Sequence, residues 1–127
     1  MPDTLETYPT VTPYLVVPDA DAELKFVTAA FGASEKMCQR RPDGAVMHAE
    51  IRIGDSLIMM GQANEQWKAL SGSLFLWAPN VDETYRKALA AGATSLRPPE
   101  DMPYGHRNAG VLDACGITWW LASPVRG

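Results

Sequence analysis

Apolar and polar positions along this chain follow first one period and then another, and the whole succession occurs twice. A short apolar run from Val11 to Val17 ends at Pro18 and reads as a strand closed by a turn. Leu24, Val27 and Phe31 then fall at helical spacing, behind Asp19, Asp21 and Glu23, which suit the cap and first turn of a helix. Gly32 stands where a left-handed C-terminal cap is expected. A second copy opens with the strand-like run Leu74 to Ala78. Asn80 and Glu83 then make a capping-box pattern, Val81, Tyr85, Ala88 and Leu89 form an apolar stripe, and Gly92 ends the helix.

After each helix the pattern changes to alternation and predicts three strands. Ile53-Gly54-Asp55-Ser56, between two apolar runs, is a two-residue hairpin with glycine first, which suits a type II′ turn. Pairing Ile53 with Ser56 sets Arg52 opposite Leu57, Glu50 opposite Met59 and His48 opposite Gly61, all on one face. The other face carries Met47, Ala49, Ile51, Ile53, Ile58 and Met60 and is expected to pack on the helix. In the second copy a four-residue loop, Asp113 to Gly116, would pair Leu112 with Ile117, Ala109 with Trp120 and Arg107 with Ala122. This register points Trp120 and Arg107 into a cavity, puts Trp119 behind them, and sends His106 to solvent.

The two copies also match residue by residue. Gly32-Ala33-Ser34 returns as Gly92-Ala93-Thr94, sixty positions later. A long period present only twice is not a solenoid, which needs three or more units to bury a continuous core. The expected organisation is a single domain, 1–127, with module one at about 11–62, a linker at 63–71 and module two at about 72–123. The expected fold class is α+β: two βαβββ modules forming a curved, cleft-containing mixed sheet. The linker holds Trp67 and Leu70 in a polar stretch, a candidate hinge and contact for a domain-swapped or paired homodimer.

Composition narrows the function. A net charge of −4, with no basic run longer than Arg40-Arg41, lacks the basic footprint of a nucleic-acid binder. No apolar stretch approaches a membrane span, and Met1-Pro2-Asp3-Thr4-Leu5-Glu6 lacks a signal-peptide layout, so a cytoplasmic location is expected. Cys38 and Cys115 have no metal-binding spacing and are expected as free thiols. No nucleophile elbow or phosphate-cradling loop occurs; Ser71-Gly72-Ser73 lacks the geometry.

Together the paired modules, the Gly-Asp hairpin after His48-Ala49-Glu50, the segment Tyr104-Gly105-His106-Arg107 and the ending Asp113-Ala114-Cys115-Gly116-Ile117-Thr118-Trp119-Trp120 carry a resemblance. The chain resembles the vicinal oxygen chelate superfamily, the glyoxalase, bleomycin-resistance and extradiol dioxygenase group, and within it the PhnB-like branch. Ala114 stands where the family's turn has proline. The resemblance implies four metal-ligand positions, falling at or beside Thr12, Met59, Ser73 and Trp120. None offers an imidazole or carboxylate, so the inherited divalent-metal site is read as absent, with no cofactor expected.

What remains for the cavity is Tyr14, His48, Glu50, Met59, Phe75, Trp77, Arg107 and Trp120. Rings supply contact area and polar groups orientation, which suits a planar or aromatic small molecule. Core packing stays open for Phe75, Trp77, Met59 and Trp120, and a salt bridge or dimer contact for Arg107. His48 and Glu50 alternate on one face as a possible acid/base pair, or as two donors of a rearranged metal site; Glu50 needs a partner in His48 or Arg52, or a ligand. Three functions follow: a metal-free protein that sequesters a small molecule, an enzyme of the same superfamily using His48 and Glu50, and a non-catalytic dimer whose cleft is filled.

Overall fold

A computed structural model describes residues 8–125; the segment read for a leader lies outside the described residues. The order of elements is β1 (Tyr14–Val17), α1 (Ala20–Phe31), β2 (Ser34–Arg40), β3 (Val46–Ile53), β4 (Ser56–Gln62), β5 (Gly72–Trp77), α2 (Val81–Ala90), β6 (Thr94–Asp101), β7 (His106–Leu112) and β8 (Ile117–Pro124). Two four-stranded mixed sheets result, ordered β1-β4-β3-β2 and β5-β8-β7-β6. The predicted pair of βαβββ modules is therefore present, although β1 is shorter than the apolar run: Val11 lies outside it and is 82% exposed.

Both helices start as their sequences indicate. Asp19 accepts from Ala22 N–H and Asn80 from Glu83 N–H, each satisfying a donor that the first helical turn leaves free. Glu83 then pairs with Lys87 one turn on. α1 packs on the first sheet, α2 on the second, and the helices on each other. Leu15, Ile51 and Met60 share one buried cluster with Val111, Trp119 and Leu121, bridged by Phe31 of α1 against the Trp119 ring at 4.7 Å. Each sheet thus turns one face to the helices and leaves the other open.

The first hairpin has the predicted register, with Ile53 opposite Ser56, Arg52 opposite Leu57 and Glu50 opposite Met59. The second is shifted by one residue from expectation: Leu112 pairs with Thr118, Gly110 with Trp120 and Arg107 with Ser123. Asp113 N–H bonds Ile117 carbonyl, Gly116 N–H bonds Asp113 carbonyl, and Gly116 takes φ 88°. Only Ala114, Cys115 and Gly116 lie in the loop, a turn ended by a left-handed glycine. Because side chains alternate, this single step moves every β7 residue to the face opposite the one expected.

A bulge corrects a second expectation. Gln39 pairs with His48 but Arg40 with Val46, so Met47 is an extra residue on β3. Val46, not Met47, enters the core, and Met47 is left 46% exposed beside the open face. The linker runs back along β1: Ala63 N–H donates to Val17 carbonyl and Leu70 N–H to Val16 carbonyl. It covers backbone groups that an edge strand would otherwise expose.

The modules are joined by a buried polar knot around Asp113. Its carboxylate accepts from Cys115 N–H, Ile117 N–H and Trp119 Nε1–H at 2.9, 3.0 and 2.8 Å. Cys115 Sγ–H reaches Asp19 carbonyl, the cap of α1. Glu23 of α1, only 1% exposed, lies in the same cluster, and its Oε2 has no hydrogen-bond partner. Burial, then hydrogen bonding with Asp113 and the Asp113 charge, pushes the Glu23 carboxyl from 4.5 to about 9. The folded protein holds this proton while the unfolded chain loses it near 4.5, so stability is fully present below that pH and falls as pH rises toward about 9. Glu23→Gln is expected to flatten this slope: calorimetric Tm measured between about pH 5 and 9 falls in the wild type and changes far less in the variant.

Candidate functional site

Strand pairing brings Tyr14, Met59, Glu50 and His48 onto the open face of the first sheet. Tyr14 lies beside Met59 across β1 and β4, and Met59 beside Glu50 across β4 and β3. A second bulge completes the cluster. Glu35 pairs with Ile51 and Met37 with Glu50, leaving Lys36 as an extra residue on β2. Its ammonium stands 3.3 Å from Glu50 Oε1 and 4.0 Å from the Tyr8 ring centroid.

Glu50 is the hub. It is 3% exposed and accepts from the Tyr8 hydroxyl at 2.9 Å, from Lys36, and through Oε2 from His48 Nε2 at 2.8 Å. Burial alone would raise its pKa, but hydrogen bonds from His48, Tyr8 and Lys36 outweigh that and hold the carboxyl below its ordinary range. Arg52, the alternative partner named from sequence, is exposed. With Nε2–H donated to Glu50, His48 presents Nδ1 as acceptor to the Tyr14 hydroxyl, 3.3 Å away, with the two rings stacked at 5.6 Å. The result is a line from carboxylate to imidazole to phenol whose last member, half exposed, meets solvent. Glu50 is buried at the inner end of this line, and Tyr14 is its exposed end.

The second sheet repeats the backbone with other chemistry. Phe75 pairs with Trp120 where module one pairs Tyr14 with Met59. Gly110 stands opposite Trp120 as Glu50 stands opposite Met59, and Leu96 occupies the bulge equivalent to Lys36. Phe75, Trp77 and Trp120 are 52%, 57% and 39% exposed and form an open platform, and Phe75 and Trp77 also border the cavity between the modules. Trp77 meets Phe75 at 5.1 Å and His106 edge-on at 4.6 Å, and Tyr104 adds a further edge contact to His106. Trp120 lies flat on Gly110, where an added Cβ would come within 2.7 Å of the ring, and its Nε1–H donates to Ser73 Oγ at 2.9 Å.

Arg107 does not join the site. The shifted register turns it to the helix side, where it pairs with Asp82 of α2 and Asp101 of β6. His106, expected in solvent, takes the position on the open face instead. At the positions implied for metal ligands, Thr12 precedes β1, Met59 offers a thioether, and Ser73 and Trp120 bond each other. This donor set does not fit a divalent metal. The cluster of Glu23, Asp113 and Cys115 lies in the core, where the Asp113 oxygens are already engaged by three N–H groups. Both cysteines are free thiols. A larger cavity, about 880 Å³, runs between the modules past Phe31, the 53–57 hairpin, Phe75, Trp77 and Trp119, away from His48 and Glu50. The smaller, about 370 Å³, adjoins Tyr14 and Gly61.

A family model described as the Glyoxalase/Bleomycin resistance protein/Dioxygenase superfamily matches residues 8–121. The chain belongs to this superfamily. An uncharacterized protein of Mycobacterium bovis is 34% identical, over 93% of this chain and 85% of that protein. The crystal structure of TioX from Micromonospora superposes with TM-score 0.74 at 23% identity, covering 94% of this chain and 98% of that one. A PhnB protein from Bacillus cereus superposes with TM-score 0.68 at 20% identity, covering 91% and 99%. These likenesses fit the paired modules and the PhnB-like resemblance, and at such identity the solved structures speak for the fold.

Among the described residues no helix is long and apolar enough to cross a membrane. Lys36, Tyr8, His106 and Tyr104 belong to the open faces but escape sequence reasoning. Lys36 is aimed by a bulge that the alternation of β2 does not betray, and His106 depends on the turn at Gly116.

Two outcomes test this geometry. Glu50 is depressed in the folded protein, so its stabilisation is present above the ordinary 4.5 and is lost as pH falls through its lower folded value. Glu50→Gln is expected to lower Tm at neutral pH and to make its decline in acid shallower, measured by thermal melts from neutral pH downward. Gly110→Ala is expected to lift the Trp120 ring from the sheet, read as a changed near-ultraviolet dichroism with far-ultraviolet dichroism retained.

Proposed function

We propose that this protein is a metal-free, cytoplasmic small-molecule binder of the sequestration or resistance type, working as a homodimer. Its ligand lies between the Tyr14, His48 and Glu50 cluster of one chain and the Phe75, Trp77 and Trp120 platform of its partner. The observation that carries this reading is the exposure of those three rings on the second sheet, with the buried, hydrogen-bonded carboxylate on the first. Exposed apolar patches of this kind mark sites that something else covers. In a pairing of module one with module two, a polar face meets an apolar one, and a flat ligand would gain ring contact from one side and orientation from the other. The family description, which includes bleomycin resistance proteins, supports binding as a class of activity in this fold.

A second reading has one observation in its favour. The Glu50–His48–Tyr14 line fixes one imidazole tautomer and leaves a phenol at its open end, an arrangement suited to general acid/base chemistry on a bound substrate.

Sedimentation and ligand-induced thermal shift test the first reading together. The expected result is a dimer at micromolar concentration, stabilised by a planar aromatic compound from a screen, with the shift abolished by Trp120→Ala. A monomer with no thermal response to any planar compound would sink it. Turnover of such a compound by the wild type, lost in His48→Gln and Tyr14→Phe, would favour the second reading over simple binding.

A further inference from the structure

The smaller cavity, about 370 Å³, is walled by Tyr14 and Gly61 of the first sheet, by Met47, which the bulge turns outward, and by Trp67 and Asn64 of the linker, with Arg41 at its side. Its size is within the usual range for small-ligand pockets. Trp67 is 61% exposed although it borders this hollow. The room for it exists because position 61 is glycine: an added Cβ would come within 2.9 Å of both the Tyr14 hydroxyl and the Met47 carbonyl.

Arg41 differs from the arginine beside it. Arg40 is neutralised by Asp21 through both Nη atoms, at 3.1 and 2.7 Å. Arg41 is half-buried and has no ion pair or side-chain hydrogen bond among the described residues. No carboxylate lines the cavity with it, since the remaining polar walls, Gln62 and Asn64, are amides. Asn64 Oδ1 already accepts from Gln66 and Trp67 N–H, and Gln62 is engaged with Pro18 and Ala20. A half-buried guanidinium without a partner among the described residues, next to an indole, a phenol and a thioether, has the features of a receptor for a flat anion. Arginine binds carboxylates through two parallel N–H bonds, and the rings and methionine supply contact for an apolar body.

We propose that this cavity binds a planar aromatic carboxylate, with the carboxylate on Arg41 and the ring against Trp67 and Tyr14. The site belongs to one chain. It shares Tyr14 with the cleft between two chains described above, but Arg41 and Trp67 are not among the groups of that cleft.

Calorimetric titration of the full chain with 2-naphthoate and with the neutral 2-naphthalenemethanol tests the proposal. The acid is expected to bind at least about tenfold more tightly than the alcohol, the advantage of a charge-assisted pair. Arg41→Gln should remove that advantage without changing binding of the alcohol, and Arg41→Lys should restore only part of it, because the planar fork is lost. Trp67→Ala should weaken both compounds. Equal affinity for acid and alcohol, no binding of either, or an Arg41→Gln protein that binds naphthoate as the wild type does would each overturn the proposal. Binding lost in Trp120→Ala but kept in Arg41→Gln would also overturn it and would place the ligand in the cleft between chains instead.

Discussion

Three N–H groups converge on the carboxylate of Asp113, and much of the molecule follows from that convergence. Two of them, from Cys115 and Ile117, shape the turn between β7 and β8; the third is the indole of Trp119 in the core. By holding the turn to three loop residues, Asp113 sets the register of the hairpin, and the register decides which residues of β7 face outward. His106, Asn108 and Gly110 are placed outside by this constraint, and Arg107 is sent to α2. Glu23 and Cys115 extend the same knot to α1, so the turn that orders module two is also where module one is attached.

Most of the scaffold was legible in the sequence because its signals are local. Helix caps at Asp19 and Asn80 need only a side chain and an amide three residues on, and Gly54 with Asp55 determines a two-residue turn almost alone. The second hairpin was misjudged because Asp113 to Gly116 fits either a three- or a four-residue loop, and the choice rests on a left-handed glycine and a carboxylate that receives donors from beyond the turn. Met47 was assigned to the core by strict alternation, which a bulge breaks. Glu23 reads as an ordinary first-turn acid; its burial comes from the packing of α1 on the other module, which no local pattern encodes.

The site was legible in part. Tyr14, His48, Glu50 and Met59 do share a face, as the first register required, and Phe75, Trp77 and Trp120 share another. That these two groups lie on separate sheets that share a core through the helices was not readable, because periodicity tells which residues share a face and not how two sheets are stacked. The duplicated backbone has been furnished unequally: a carboxylate, an imidazole and an ammonium on one copy, and glycine, asparagine and leucine at the matching places on the other.

The contact of Trp120 with Gly110 makes this inequality hard to undo one residue at a time. A carboxylate at position 110 would recreate the hub of module one, but the indole occupies that space to within 2.7 Å of where the first side-chain carbon would go. Shrinking Trp120 first would strip the floor from the aromatic platform and release Ser73 from its bond. Each single step is costly without the other, the kind of non-additivity expected of residues in direct contact. The two halves are thus poor sources of replacement parts for each other, and giving module two the carboxylate of module one would demand paired substitutions at 110 and 120.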